Sequence, residues 1–291
     1  MRIRSLIWLL NVLAMANISH SVASEDNQEK VSVCSESWAP FYYQDPESKS
    51  QTPPRIMGIN VDILKAISQA SGLDFEFELM PHKRCLHNTQ KHGNQKKHEI
   101  TSDVTYTADK EKDFYFVGPA YSLSRAIFYS KNQFPKGVFN PKSAYKITKV
   151  KEMRHFTVCE SDGRIFNDYY AKHGVPKENI VSSSNASLSS LLMMLDKGRC
   201  EIMEVPAAIL AGSVAIENLM LQENVHCQQL NEEPVGFYFL VSKASPRAEY
   251  LVSTLNQGLI KLKHSGQHQK IIEHYFTVLS NRNGKAITDC L

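Results

Sequence analysis

The sequence predicts an exported protein built from two α/β lobes with a cleft between them, and three observations carry that expectation. The hydrophobic period switches repeatedly between 2 and about 3.6 in two successive blocks. A leader-like N-terminus precedes the blocks, and all six cysteines follow it. The 291 residues allow one large domain or two modest ones. With 42% hydrophobic and 22% charged residues, the chain is too apolar to be disordered as a whole. A formal charge of +3, from 33 basic against 30 acidic residues, leaves no broad electrostatic footprint for nucleic acid.

Arg2 and Arg4 precede the apolar residues 6–16, and Ser21-Val22-Ala23 supplies the small residues that signal peptidase needs. Residues 1–23 therefore read as a secretory signal cleaved after Ala23. No later segment offers the ~18 consecutive apolar residues of a membrane span. The mature chain is expected to be nearly neutral, soluble, monomeric and not inserted in a membrane. Cys34, Cys85, Cys159, Cys200, Cys227 and Cys290 all lie in it. An even count in an exported chain favours disulfides, with one pair of buried thiols as the alternative. No close Cys-x-x-Cys spacing exists, and His82, His87, His92 and His98 do not share a helical face, so neither metal nor cofactor is expected.

Val31-Ser32-Val33 begins a strand. Asn60 is placed to cap a helix whose Ile63, Leu64 and Ile67 share one face, and Phe75, Phe77 and Leu79 then alternate as a strand, completing a βαβ unit. A helix from about Lys83 and strands at 100–104 and 126–130 follow. The polar, Lys-rich stretch 132–151 reads as a surface excursion. Phe156-Thr157-Val158 starts the second block, with Gly163 as a turn and a helix over 164–173. A strand at Ile180-Val181 leads to a helix capped by Asn185, with Leu188, Leu191, Leu192 and Leu195 on its apolar face. A strand at 200–205, a helix whose first residue is Pro206, a strand at 236–241 and helices over about 246–263 and 267–276 close the chain. Two such blocks argue for two lobes, each with a mostly parallel sheet.

Trp38-Ala39-Pro40-Phe41-Tyr42-Tyr43 resembles the Pro-Pro-Phe motif of the family 3 periplasmic solute-binding proteins, and Gly58-Ile59-Asn60-Val61-Asp62 their Gly-Phe-Asp-Val-Asp helix start. Thr105-Tyr106-Thr107-Ala108-Asp109-Lys110 is similar to their Thr-x-Thr-x-Glu-Arg segment, with Phe116 and Pro119-Ala120-Tyr121 following as in the family. Gly198-Arg199-Cys200-Glu201 resembles a Gly-x-x-Asp strand start. Pro81-His82-Lys83-Arg84-Cys85-Leu86 is similar to a Pro-Trp-x-Arg-Cys-Leu segment of one branch. The resemblance implies the type II periplasmic binding fold, shared with the ligand-binding core of ionotropic glutamate receptors. Two crossing strands then join lobe one (24–122 plus 243–291) to lobe two (123–242).

Implied with the fold is a small-molecule ligand, anionic or amino-acid-like, held by hinge closure and passed to an ABC-type permease or read by a sensor partner. A periplasmic dehydratase of cyclic acids on the same scaffold is the catalytic alternative; no nucleophile setting is evident, so no catalytic residue is named. Phe41 and Tyr43 share a face if the segment is extended and are expected to stack on the ligand. Thr105 and Thr107 belong to the implied binding segment. Lys110 stands where the family holds a ligand carboxylate with an Arg, and it lacks the planar fork. A solvated surface lysine is the competing reading. Arg164, at a helix start, is the second candidate cation, and Glu204 the acid for a ligand amine. The glutamate-receptor resemblance pairs Cys227 with Cys290. Parallel neighbouring strands pair Cys34 with Cys85, which leaves Cys159 with Cys200.

Overall fold

Alternation of short apolar runs with amphipathic segments produces the elements of the computed structural model, which describes residues 30–48, 50–94, 96–162, 166–184, 187–221, 223–282 and 290. The first block contains β1 (Lys30–Ser35), β2 (Tyr43–Gln44), β3 (Ile56–Met57), α1 (Ile59–Ser71), β4 (Asp74–Leu79), α2 (His82–Gln90), β5 (Ile100–Thr105) and β6 (Phe114–Leu123). The second contains β7 (Ala126–Ser130), β8 (Val158–Asp162), α3 (Phe166–Lys172), β9 (Ile180–Ser184), α4 (Leu188–Asp196), β10 (Ile202–Glu204), α5 (Ala207–Ile216) and β11 (Val225–Gln229). β12 (Val235–Ser242), α6 (Ala248–His264) and α7 (Gln267–Arg282) complete the chain. The expected signal at 1–23, together with Gly163, Arg164 and Asn185, lies outside the described residues.

Two five-stranded sheets form, in the orders β4-β1-β5-β12-β6 and β11-β7-β10-β8-β9. Both are mixed rather than mostly parallel. In the first, β1 pairs in parallel with β4 and β5, while β12 runs antiparallel to β5 and β6. In the second, β8 is parallel to β9 and β10, while β7 is antiparallel to β10 and β11. The parallel pairs are those that helical crossovers create. The antiparallel pairs involve the strands at which the chain passes between the sheets. β6 leaves the first sheet for the second and β12 returns, so the two run against each other for most of their length. β6 is not evident in the hydrophobic pattern because it carries Gly118 and Pro119 mid-strand, and β11, Val-His-Cys-Gln-Gln, offers too few apolar residues to form one.

Helix starts differ from expectation in three places, each for a local reason. α1 begins after Gly58, whose φ of 134° and approach to the Phe41 carbonyl leave no room for a Cβ. Asn60 therefore sits inside the first turn and donates Nδ2 to Asp103 Oδ1 at 2.6 Å. At α4 the cap is Ser187, whose Oγ accepts from the Ser190 amide at 3.2 Å. Pro206 precedes α5 as its N-cap instead of being its first residue.

α1 buries Ile63, Leu64 and Ile67 against the first sheet, each at most 1% exposed, which contributes roughly 1.5–3 kcal/mol per side chain. The 132–151 excursion is pinned to the second sheet by Gln228, whose Nε2 donates to the carbonyls of Val138 and Ile147 at 3.1 and 2.7 Å. Disulfides join Cys34–Cys85, Cys159–Cys200 and Cys227–Cys290 with Cα separations of 5.7, 5.5 and 6.3 Å, the three pairings the sequence led us to expect. The last of them ties Cys290, eight residues beyond the end of α7, to β11 of the second sheet, and α7 itself packs on α1, α5 and α6.

Candidate functional site

β5 ends at Thr105, and the chain then turns through Thr107 into a short 3₁₀ segment, Ala108–Lys112. This corner forms one wall of an open cleft of about 490 Å³, within the range of small-molecule sites. Thr105, Tyr106, Thr107, Ala108 and Asp109 line that wall. Arg125, at the entry to β7, and Tyr169 and Lys172 of α3 line the opposite side, with Val235, Gly236 and Tyr238 of β12 between.

The geometry behind the first wall is fixed by Asp103. It holds a left-handed φ of 62° in the middle of β5, which redirects the strand end. Its carboxylate accepts from Ser35 Oγ at 3.0 Å, Ser102 Oγ at 2.5 Å, Asn60 Nδ2 at 2.6 Å and Tyr121 Oη at 2.7 Å. Burial raises its pKa to about 6 in spite of these donors. Asp103 thus fastens β1, α1 and β6 to the corner that carries Thr105 and Thr107.

Lys110 is not among the lining residues. The 3₁₀ winding turns it beneath Thr107, where it is 7% exposed and its Nζ donates to Thr107 Oγ1 at 2.8 Å. Burial lowers its pKa from the ordinary lysine value. The Thr107 hydroxyl beside Asp109 also holds that carboxyl below its usual range. Thr105 and Thr107 therefore reach the cleft, whereas the lysine acts on it only through Thr107.

Among the described residues two cations line the cleft, Arg125 and Lys172, and sequence reasoning missed both; Arg125 is the buried one. Its Nη1 donates to Glu204 Oε1 at 2.9 Å and its guanidinium covers the Tyr169 ring at 4.0 Å from the centroid. Glu204 Oε2 accepts from Tyr170 Oη at 3.2 Å. Both oxygens of the acid expected to meet a ligand amine are thus engaged within the protein. The signal for Arg125 was a single charge between Leu123 and Ala126, two buried apolar positions.

Arg125 and Glu204 also bound a second, smaller cavity of about 40 Å³, enclosed by Trp38, Leu191, Met203, Ile209 and Phe237 among others. That space suffices for water, not for a solute. Phe41 and Tyr43 reach neither cavity. Residues 38–42 form a turn, with the amides of Phe41 and Tyr42 both donating to the Trp38 carbonyl, so the extended alternation that would put them in the cleft does not apply. Phe41, 1% exposed, stacks on Tyr121 with ring centroids 4.0 Å apart, and Tyr43 is 4% exposed. Among the described residues no group of three or more His, Cys, Asp or Glu is arranged to hold a metal ion.

With this architecture in view, the family pattern of bacterial extracellular solute-binding proteins, family 3, matches residues 31–278. The chain belongs to this family. Three solved structures similar to this family member illustrate its relations. A histidine kinase sensor domain with similarity to periplasmic binding proteins superposes with a TM-score of 0.65 at 17% identity, covering 86% of this chain and 97% of that one. An amino acid ABC transporter substrate-binding protein from Streptococcus pneumoniae, bound to L-arginine, gives 0.64 at 19%, covering 87% and 97%. An ancestral amino-acid-binding protein, a precursor of cyclohexadienyl dehydratase, gives 0.62 at 16%, covering 86% and 96%. At these identities the likeness is one of fold, the two-lobed periplasmic binding architecture. No curated protein sequence matches the chain. The family description places its members outside the cytoplasm, and among the described residues no helix is long and apolar enough to cross a membrane.

Proposed function

We propose that this solute-binding protein captures a small anionic or amino-acid-like solute in the cleft between its lobes and delivers it to an ABC-type permease. The observation that carries this reading is Arg125, a residue only 6% exposed that nevertheless lines the cleft opposite Thr105 and Thr107. Its bond to Glu204 is made through Nη1, and the planar fork retains further N–H donors for a carboxylate. Tyr106, Tyr169 and Tyr238 supply apolar walls with polar tips. Closure of the lobes removes the solute from water, and these fixed groups replace its hydration.

In this reading Thr105, Thr107 and Arg125 contact the solute, while Lys110 and Glu204 position Thr107 and Arg125. The lobes comprise 24–122 with 243–291 and 123–242, after removal of residues 1–23, and hinge near the ends of β6 and β12. Binding occurs without turnover. The fold likeness to a kinase sensor domain supports a second outcome, in which the closed form is recognised by a signalling partner instead of a permease.

Mass spectrometry of small molecules released from the purified, denatured protein tests the ligand class, and calorimetry with the recovered solute tests the site. Arg125→Ala is expected to raise the Kd at least tenfold. Unchanged affinity in a folded Arg125→Ala protein refutes the assignment, and conversion of the solute during incubation refutes binding without catalysis.

A further inference from the structure

The charged groups that line the cleft are distributed with a sense. Arg125 and Lys172 stand on the side of the second sheet and α3, and Asp109 stands on the corner after β5. The family pattern implies the opposite arrangement, with a cation at position 110 on the first wall and an acid at position 204 on the second. In this chain both of those residues have been withdrawn. Lys110 lies beneath Thr107 with its ammonium on that hydroxyl, and Glu204 is 7% exposed with its oxygens on Arg125 and Tyr170. Among the described residues, the charges left facing the cleft are therefore of reversed sign on each wall.

We propose that the cleft binds a zwitterionic solute with its carboxylate toward Arg125 and Lys172 and its ammonium toward Asp109, in the opposite polarity to the one the family motif implies. This rests on the amino-acid-like reading of the cleft given above. Coulomb complementarity fixes the orientation, because the inverted pose sets an ammonium against Arg125 and a carboxylate against Asp109. Like-charge contact of that kind is costly once the cleft closes and water is expelled. Arg125 suits the carboxylate because its fork can make two parallel bonds, while Lys172, exposed at the rim, adds a mobile point charge. Asp109 suits the ammonium because the Thr107 hydroxyl and the adjacent Lys110 keep its carboxyl ionised at neutral pH. Glu204 supports the pose from behind by holding the guanidinium in place.

Calorimetry with the standard amino acids, followed by the N-acetyl derivative and the carboxamide of the best binder, tests the polarity. Asp109→Asn is expected to weaken the free amino acid about tenfold and to leave the N-acetyl derivative unchanged, since that derivative has no ammonium to lose. Lys172→Gln is expected to weaken the amino acid and the N-acetyl derivative severalfold but not the carboxamide. Arg125→Lys, which keeps the charge beside Glu204, serves the same comparison in a folded protein and is expected to act in the same direction as Lys172→Gln. Discrimination of the amine by Glu204→Gln, with Asp109→Asn silent, overturns the reversed polarity and leaves the solute-binding reading standing. Binding of no standard amino acid by the unaltered protein refutes the amino-acid-like reading itself.

Discussion

Arg125 donates to Glu204 across 2.9 Å with both side chains almost entirely out of water, at 7% and 1% exposed. A pair of this kind is nearly neutral to the fold when intact and expensive when halved. Glu204→Ala is expected to lower unfolding stability by about 3–5 kcal/mol, because an unpaired guanidinium stays in the interior. Arg125→Met combined with Glu204→Leu should recover most of that loss while abolishing solute capture. Urea unfolding of the three proteins checks this, and a single substitution costing under about 1 kcal/mol would show that water reaches the pair.

Asp103 gives stability a pH slope of unusual sign. Its folded pKa of about 6 lies above the ordinary 3.8, so between roughly pH 4 and 6 the folded state binds the proton that the unfolded chain has released. Stability therefore falls as pH rises through that window and is level above it. Asp103→Asn is expected to flatten the slope, with a ceiling of about 3 kcal/mol set by the rise from 3.8 to about 6. Asn60 can reorient to accommodate the new amide, its Oδ1 having no partner at present. An unchanged pH profile of thermal unfolding would mean the carboxyl is ionised throughout.

Glu99 contributes in the opposite direction. Burial pushes its pKa up, but Arg247, with Nε on Oε1 at 2.9 Å and Nη2 on Oε2 at 2.5 Å, and Ser245 Oγ on Oε1 at 2.6 Å hold it lower overall. Its stabilisation is present above the ordinary glutamate value of 4.5 and is lost as pH falls through the depressed folded value. Arg247→Ala is expected to move the acid unfolding midpoint upward and to cost a few kcal/mol, about 3–5, at pH 7. Circular dichroism across an acid titration measures both, and a midpoint that stays in place excludes the pair as the acid-labile element.

Gly212 sits where α5 meets the turn after β1, and any Cβ there would collide with the Ala39 carbonyl and crowd Pro40 Cδ. Gly212→Ala is expected to push the helix off the turn, at a cost of about 1–3 kcal/mol. Since that contact joins an element of the second block to one of the first, solute affinity should fall as well. Unaltered melting and affinity together would show that the turn yields freely.

Much of the architecture could be read in advance because βαβ units write a strong period into the chain. The apolar face of α1, the Leu face of α4 and β7 fell where expected for that reason. The site was less legible. Strand alternation puts Phe41 and Tyr43 on a common face, a rule that the turn at 38–42 does not obey. Lys110 sits in a motif whose spacing is preserved, yet 3₁₀ winding decides its direction, and no motif records that. Arg125 lacks any neighbouring charge to form a pattern, and its partner is 79 residues away in sequence. The left-handed bend at Asp103 has no glycine to announce it.

Because Cys290 is bonded to β11, the two lobes are held by three covalent routes, since β6 and β12 already cross between them. Eight peptide units separate Arg282, at the end of α7, from Cys290, and fully drawn out they reach about 26–29 Å. Whatever path the chain takes between them, covalent geometry therefore leashes the end of α7 to β11 with a fixed maximum length and forbids wider separation. Shrinking the open ensemble in this way raises the share of molecules poised to close, and apparent affinity rises by the same factor. Reduction of the Cys227–Cys290 bond would cut the leash and weaken capture without disturbing a single bond to the solute.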